Sequence, residues 1–134
     1  MHSWGWWEWS AKVPVDKIVI QGLFCHARVG VTDEERRVRQ RILIDLDLDV
    51  DLGPAGKSDR VEETVDYAAV AQESRRLAES KPFRLAEAVA EEVAAKLLQR
   101  FDLLQVRVKV RKFSVPGVES VGVEIIRQRR QGER

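Results

Sequence analysis

The stretch ILIDLDLDVDL at residues 42–52 carries the clearest strand signal of the chain, because apolar and acidic residues alternate along most of it. The apolar set is Ile42, Ile44, Leu46, Leu48, Val50 and Leu52, and the acidic set is Asp45, Asp47, Asp49 and Asp51. Successive side chains of a β-strand point to opposite faces of its sheet. The stretch therefore predicts a strand in a sheet with one packed face and one face in water.

Three further segments have the composition of strands: KIVIQGLFC at 17–25, VRVKVRK at 106–112 and VGVEIIR at 121–127. The first is rich in β-branched residues and is broken by Gly22. The last two are joined by FSVPGVES, whose Pro116 and Gly117 are typical of a hairpin-like loop.

Two helices are predicted between the second and third strands. The first runs from about Val65 to Glu79 and is weakly amphipathic. The second starts near Pro82 and reaches about Phe101, because proline suits the first turn of a helix. One stripe of this second helix is apolar at a spacing of four: Leu85, Val89, Val93 and Leu97.

The order strand, strand, helix, helix, strand, strand predicts an α+β domain, a four-stranded antiparallel sheet with both helices on its apolar face. The length of 134 residues suits one core. So small a sheet leaves exposed edges, and such edges are often closed by pairing with other copies of the chain. An oligomeric β-barrel is the natural prediction, although the pattern does not require one.

Composition excludes several function classes. The net charge of +1, with 44% apolar and 34% charged residues, is typical of a globular protein and gives no reason to expect nucleic-acid binding. No apolar run approaches the roughly 20 residues of a membrane span. The single cysteine, Cys25, rules out an internal disulfide framework and fits a reducing compartment. We expect a cytoplasmic protein without nucleic-acid or membrane partners.

The ends of the chain differ from its middle, which we take as one domain over residues 16–127. Residues 1–15, MHSWGWWEWSAKVPV, hold all four tryptophans and lack the pattern of a secretory signal. They are either an extension outside the domain or an interaction peptide. Residues 128–134 form a basic tail, expected to be solvated.

Metal-dependent and triad chemistry find little support. The two histidines are His2 and His26, whereas a catalytic zinc site usually takes three protein ligands. Cys25 and His26 are neighbours on a strand and should point to opposite faces. The small number of histidines also argues against a Ser-His-Asp or Cys-His site, and no glycine-rich phosphate loop is present. Any catalysis is expected to use Glu, Lys and Tyr, with no metal site and no cofactor.

Four residues remain as candidates, and each has an ordinary alternative. Lys112 continues the packed side of its strand, so it either reaches into a pocket or extends its ammonium to water. Glu87 lies in the first turns of a helix, where the dipole favours an ionised carboxylate able to bind an amidine-like group, or it is simply solvated. Glu35 lies in TDEERRVRQ, whose many charges predict a surface loop and an ordinary solvated carboxylate. Tyr67, the one tyrosine, is either a packing residue or a proton donor.

Four stretches stand in order along residues 16–127: DKIVIQGLFCHARVGVTDEERRVRQ, AGKSDRVEETVDYAAV, FRLAEAVAEEVAAKLL and VRVKVRKFSVPGVESVGVEIIR. Together they resemble the dihydroneopterin aldolase family. The resemblance implies the T-fold, in which such sheets close into a barrel of subunits, a tetramer or an octamer of two stacked rings, with active sites between neighbouring subunits.

The implied reaction splits 7,8-dihydroneopterin into 6-hydroxymethyl-7,8-dihydropterin and glycolaldehyde, a step of folate biosynthesis. The family uses the pterin ring of the substrate as the electron sink, so neither a metal nor a Schiff base is implied. Two related functions stay open. One is an epimerase that inverts the 2′ carbon of dihydroneopterin or its triphosphate, and the other is a non-catalytic pterin-binding scaffold of the same fold.

The resemblance also implies roles for individual residues. Glu87 would bind the pyrimidine edge of the pterin, with the backbone of Ala86 beside it. Lys112 would move protons at the side-chain hydroxyl, and Glu35 would bind near the dihydroxylated tail and orient a water. Tyr67 would lie against the substrate and deliver a proton to the enol-like intermediate.

This chain also departs from the family pattern at two places. The family lysine is often followed by proline, whereas Phe113 follows Lys112 here. A Tyr-His-Gly-like stretch of the family is replaced by Ala27, Arg28, Val29 and Gly30.

Overall fold

The computed structural model describes residues 16–129. Within them lie four strands and four α-helices: β1 (Lys17–Ala27), α1 (Asp33–Arg37), β2 (Gln40–Asp49), α2 (Gly53–Ser58), α3 (Tyr67–Glu79), α4 (Ala86–Arg100), β3 (Gln105–Lys112) and β4 (Val121–Gln128). A 3₁₀ turn, Val61–Glu63, follows α2. The predicted N-terminal extension at 1–15 and residues 130–134 of the predicted tail lie outside the described residues.

The sheet is antiparallel throughout and has the strand order β1-β2-β3-β4, as predicted. Alternate residues of β2 are fully buried: Ile42, Ile44, Leu46 and Leu48. They lie opposite Lys112, Val110, Val108 and Val106 of β3. The alternation in the sequence therefore marks the face of the sheet that packs on the core.

The opposite face of the sheet is polar because acidic residues of β2 meet basic residues of β3. Asp45 accepts two hydrogen bonds from Arg111, at 3.0 and 3.1 Å, and Asp47 accepts one from Arg107 at 3.1 Å. The expectation of four solvated aspartates on this strand is wrong. Asp49 is buried and accepts a hydrogen bond from Gln105 at 2.9 Å, because β2 ends there, and Asp51 lies beyond the strand.

Gly22 interrupts β1, as its position in the sequence suggested. The register with β2 shifts between Ile20 and Leu23, and Gly22 has a positive φ of 68°, a conformation that favours glycine. Its N–H donates to Asp45 at 2.7 Å. The bulge therefore links β1 to the polar face of β2.

The two long helices cover the apolar face. α3 packs on β1, and α4 packs on β3 and β4. α3 begins after Asp66, whose carboxylate accepts hydrogen bonds from Ala68 and Ala69 as an N-cap. No helix in the described part of the chain is long and apolar enough to cross a bilayer.

The predicted start of the second helix is wrong. α4 begins at Ala86 rather than near Pro82, since Phe83 forms a parallel bridge with Val29 instead of a helical turn. Leu85 is consequently half exposed and is not part of the buried stripe. The remaining residues of that stripe are fully buried, as predicted: Val89, Val93 and Leu97.

Candidate active site

The topology brings four chain segments to one end of the sheet. β1 ends there, β2 begins there and β3 ends there, because Ala27 pairs with Gln40 and Ile42 pairs with Lys112. α4 precedes β3 and is joined to it by residues 101–104, so the two run in opposite directions and the first turn of α4 lies at the same end. We call this the Lys112 end of the sheet.

Backbone hydrogen bonds tie the approach to α4 to the chain that leaves β1. The N–H of Phe83 donates to the carbonyl of Arg28 at 2.9 Å, and the N–H of Gly30 donates to the carbonyl of Phe83 at 3.0 Å. Gln40 adds a side-chain hydrogen bond to the carbonyl of Val29 at 2.8 Å. The segments before α1 and before α4 are therefore held side by side.

Lys112 reaches Glu35 at this end. Its Nζ lies 3.8 Å from Oε2 of Glu35, and its side chain is 16% exposed against 38% for that of Glu35. A lysine that extended its ammonium to water would be more exposed. Of the two alternatives for Lys112, this low exposure argues against an ammonium extended to water.

Glu35 is oriented by the N-terminus of α1. Thr32 caps this helix: its hydroxyl accepts the N–H of Glu35 at 3.2 Å, and its own N–H donates to Oε1 of Glu35 at 3.3 Å. The N–H of Thr32 lowers the pKa of the Glu35 carboxyl most, and the ammonium of Lys112 also lowers it. Glu35 is therefore held as a carboxylate with a cation beside it.

Ala86 and Glu87 form the first turn of α4. Ala86 is buried, whereas Glu87 is exposed. Leu85, the N-cap, provides no side-chain hydrogen bond to this turn. The backbone N–H groups of a first turn have no partner within the helix, so a bound ligand could accept from them. The turn thus offers a carboxylate and backbone donors next to each other.

Tyr67 lies far from this group within one chain. It is 64% exposed, opens α3 and lines a cavity of about 390 Å³ with Asp59 and Thr64. The opposite end of α3 is the one bound near the Lys112 end, because the carboxylate of Glu79 accepts the N–H of His26 at 2.8 Å. The helix has 13 residues and spans roughly 20 Å. Within one chain, Glu35, Lys112, Ala86 and Glu87 therefore lie at the same end of the sheet, and Tyr67 does not.

Two residues that our reading of the sequence passed over contact Glu35 directly. Thr32 is one, and its signal was present, since Thr-x-x-Glu is the capping-box pattern. Gly30 is the other: a Cβ built on it would lie 2.2 Å from Cβ of Glu35. No local pattern reveals that close approach, because it depends on how the loop folds back on α1.

Residues 16–129 contain no group of three or more His, Cys, Asp or Glu side chains able to hold a metal ion. Cys25 and His26 point to opposite faces, as predicted: Cys25 is fully buried and His26 is exposed. Burial raises the pKa of the Cys25 thiol to about 11, and the nearby charge of Glu79 adds to the rise.

The family model described as "FolB: Dihydroneopterin aldolase" matches residues 18–126. Dihydroneopterin aldolase 1 of Arabidopsis thaliana is 38% identical over 119 residues, which are 85% of this chain and 82% of that protein.

Solved structures give the same result. E. coli dihydroneopterin aldolase in complex with neopterin matches with a TM-score of 0.82 and 37% identity, covering 84% of this chain and 99% of that chain. Dihydroneopterin aldolase of Burkholderia thailendensis, bound to guanine, matches with a TM-score of 0.71 and 26% identity, covering 84% and 90%.

Proposed function

The chain belongs to the dihydroneopterin aldolase family, and on that premise we propose that it cleaves 7,8-dihydroneopterin into 6-hydroxymethyl-7,8-dihydropterin and glycolaldehyde. The enzyme is a lyase of folate biosynthesis. The observation that carries the proposal is the pairing of Glu35 with Lys112, 3.8 Å apart, at the end of the sheet where α4 begins. An acid–base pair and a binding turn then share one site.

Glu87 and Ala86 are proposed to bind the pterin ring. Neopterin and guanine, the ligands of the two related structures, share one edge with an amino group, a ring N–H and a carbonyl oxygen. In this proposal the carboxylate of Glu87 accepts both N–H groups, and backbone N–H groups of the same turn donate to the carbonyl. This edge is shared by the substrate and the product of the reaction.

Proton transfer is assigned to Lys112 and Glu35. This step takes Lys112 as the neutral amine: the hydroxyl on the 2′ carbon gives up its proton through a water to that amine, which becomes the ammonium, while Glu35 orients the water and the hydroxylated tail. The bond between the 1′ and 2′ carbons then breaks, and its electron pair moves into the C6–N5 unit of the pterin ring. Positioned acid–base groups of this kind contribute about 10²–10⁴-fold each.

Tyr67 is proposed to return a proton to the 1′ carbon, which completes the hydroxymethyl product. Because Tyr67 lies roughly 20 Å of helix away from the Lys112 end, it must come from a second copy of the chain. The outer edges of β1 and β4 are the sheet edges at which copies could pair. We therefore propose a ring-forming homo-oligomer, a tetramer or octamer, working in the cytoplasm.

The deciding experiment incubates the purified protein with 7,8-dihydroneopterin and separates the products by chromatography. We expect 6-hydroxymethyl-7,8-dihydropterin and glycolaldehyde in equal amounts. Formation of the 2′ epimer alone would favour the epimerase. Pterin binding without any turnover would favour the scaffold and overturn the proposal.

A further inference from the structure

The two carboxylate oxygens of Glu35 have different surroundings. Oε1 accepts hydrogen bonds from the backbone N–H and the hydroxyl of Thr32, at 3.3 and 3.4 Å. Oε2 faces the ammonium of Lys112 at 3.8 Å. One oxygen is thus occupied by the protein, and the other faces the lysine at a distance longer than a hydrogen bond.

Gly30 leaves room for this arrangement. A Cβ built on Gly30 would lie 2.2 Å from Cβ, 2.7 Å from Cδ and 2.9 Å from Oε1 of Glu35. Glycine is needed here for space and not for backbone conformation, since Gly22 and Gly117 are the described glycines with positive φ. Any larger residue at position 30 would displace the Glu35 side chain, starting at its Cβ.

The backbone of Gly30 is held on both sides, so it is not free to move away. Its N–H donates to the carbonyl of Phe83 at 3.0 Å, and its carbonyl accepts from Arg36 at 2.8 Å. Arg36 also donates to the carbonyl of Val31 at 2.7 Å. The loop before α1 is thereby fastened to both α1 and the approach to α4.

We propose that Gly30 and Thr32 are positioning residues for Glu35, which together fix Oε1 and leave Oε2 free to face Lys112 and the substrate. The inference rests on the proposed role of Glu35 and Lys112. Without the cap, the carboxylate could swing away from Lys112. A misplacement of about 1 Å in such a group can cost about 100-fold in rate.

The charges around Glu35 set the expected pH behaviour. Lys112 of β3 faces it, and Asp33, Glu34 and Arg36 are its charged neighbours on α1, with Arg36 paired to Asp33. The hydrogen bonds from Thr32 keep the pKa of Glu35 below its usual range. Loosening them raises that pKa, so the acid limb of the pH profile of kcat/KM should move to higher pH.

The test compares Thr32→Val, Thr32→Ser and Gly30→Ala with the wild-type enzyme in aldolase turnover. Thr32→Val keeps the shape of the side chain and removes the hydroxyl, whereas Thr32→Ser restores the cap. We expect kcat to fall about tenfold in Thr32→Val and about 100-fold in Gly30→Ala, with a smaller change in KM and an acid limb shifted to higher pH. Thr32→Ser should behave like the wild type.

Gly56→Ala is the matched control. Gly56 has open space where a Cβ would stand and lies in α2, so the same chemical change should leave turnover unaltered. Wild-type kinetics and pH profile in folded Thr32→Val would overturn the inference, and this variant decides the matter if Gly30→Ala fails to fold. Loss of activity in Thr32→Val without a shift of the acid limb would point to a merely structural role and would equally overturn it.

A carbon-13 NMR titration of the Glu35 carboxyl separates this inference from the function on which it rests. We expect its pKa to be higher in Thr32→Val than in the wild type, whether or not the protein turns over dihydroneopterin. An unchanged titration would count against the positioning role alone. Absence of aldolase turnover in the wild type would count against the proposed function alone.

Discussion

Two carboxylates of this molecule, Glu73 and Glu35, are both paired with cations but in different ways. Glu73 is 7% exposed and accepts hydrogen bonds from Arg76 and Arg100, both at 2.6 Å. Glu35 is partly exposed and has one cation, Lys112, at 3.8 Å. Glu73 has its oxygens fully engaged and links α3 to α4, whereas Glu35 keeps one oxygen available. An ion pair held slightly apart, with one carboxylate oxygen available, is the one for which we propose proton transfer.

Lys112→Met should have the largest effect on turnover if the pair of Glu35 and Lys112 is the reactive one. The change keeps the length of the side chain and removes its charge, so kcat should fall by about 10²–10⁴-fold. Steady-state turnover of 7,8-dihydroneopterin measures it.

Lys109→Met is its control, since Lys109 lies on the same strand but on the polar face. It should retain wild-type turnover. Equal losses in both variants would show that charge on β3, and not the pair with Glu35, is what matters.

Tyr67→Phe should have the next largest effect, a fall in kcat of about 100-fold, because it removes the proposed proton donor and keeps the ring. Mixed oligomers then test whether a second copy of the chain supplies Tyr67 to the site at the Lys112 end of the sheet. When Tyr67→Phe and Lys112→Met chains are refolded together in equal amounts, about a quarter of the shared sites should contain both native residues.

Recovered turnover in the mixed sample would therefore confirm sites between chains. A mixture no more active than its two components, although the oligomer re-forms, would contradict the placement of Tyr67 in a neighbour's site.

Glu73→Gln should affect stability and not turnover, and its effect is the smallest. It removes the charge from hydrogen bonds to two arginines, which costs about 1 kcal/mol in the free energy of unfolding because both guanidinium groups are half exposed. Urea denaturation measures this difference, and kcat/KM should be unchanged.

The stability difference should also depend on pH. Hydrogen bonding from Arg76 lowers the pKa of Glu73 in the folded protein, so its contribution is present above its ordinary value of 4.5 and is lost as the pH falls below it. The urea midpoints of wild type and Glu73→Gln should therefore converge in acid. A difference that stays constant down to pH 3 would contradict the assignment.

Much of the fold could be predicted because its signals are local. The alternation along β2 marks the buried face of the sheet, and the same alternation continued along β3 places Lys112 on that side. A strand with the opposite phase would have turned the lysine toward Asp45 and Arg111. Side-chain period therefore predicted the face on which Lys112 lies, and its proposed role came from the family resemblance.

Two features that local patterns do not contain have tertiary causes. Pro82 is an acceptable first residue for a helix, but the backbone of Phe83 is bridged to Val29, just after β1, and α4 therefore begins only at Ala86. The separation of Tyr67 from Lys112 depends on which end of α3 is bound to β1, and no local pattern contains that information. By contrast, the cap of Glu35 by Thr32 was readable from the sequence as a capping box.

The buried thiol of Cys25 has a practical consequence for anyone handling the enzyme. With its pKa raised to about 11 and no exposed surface, the thiol stays protonated and shielded at neutral pH, so alkylating reagents should reach it only when β1 detaches. Because the sequence holds no other cysteine, the rate at which the protein is labelled reports the rate at which the sheet opens.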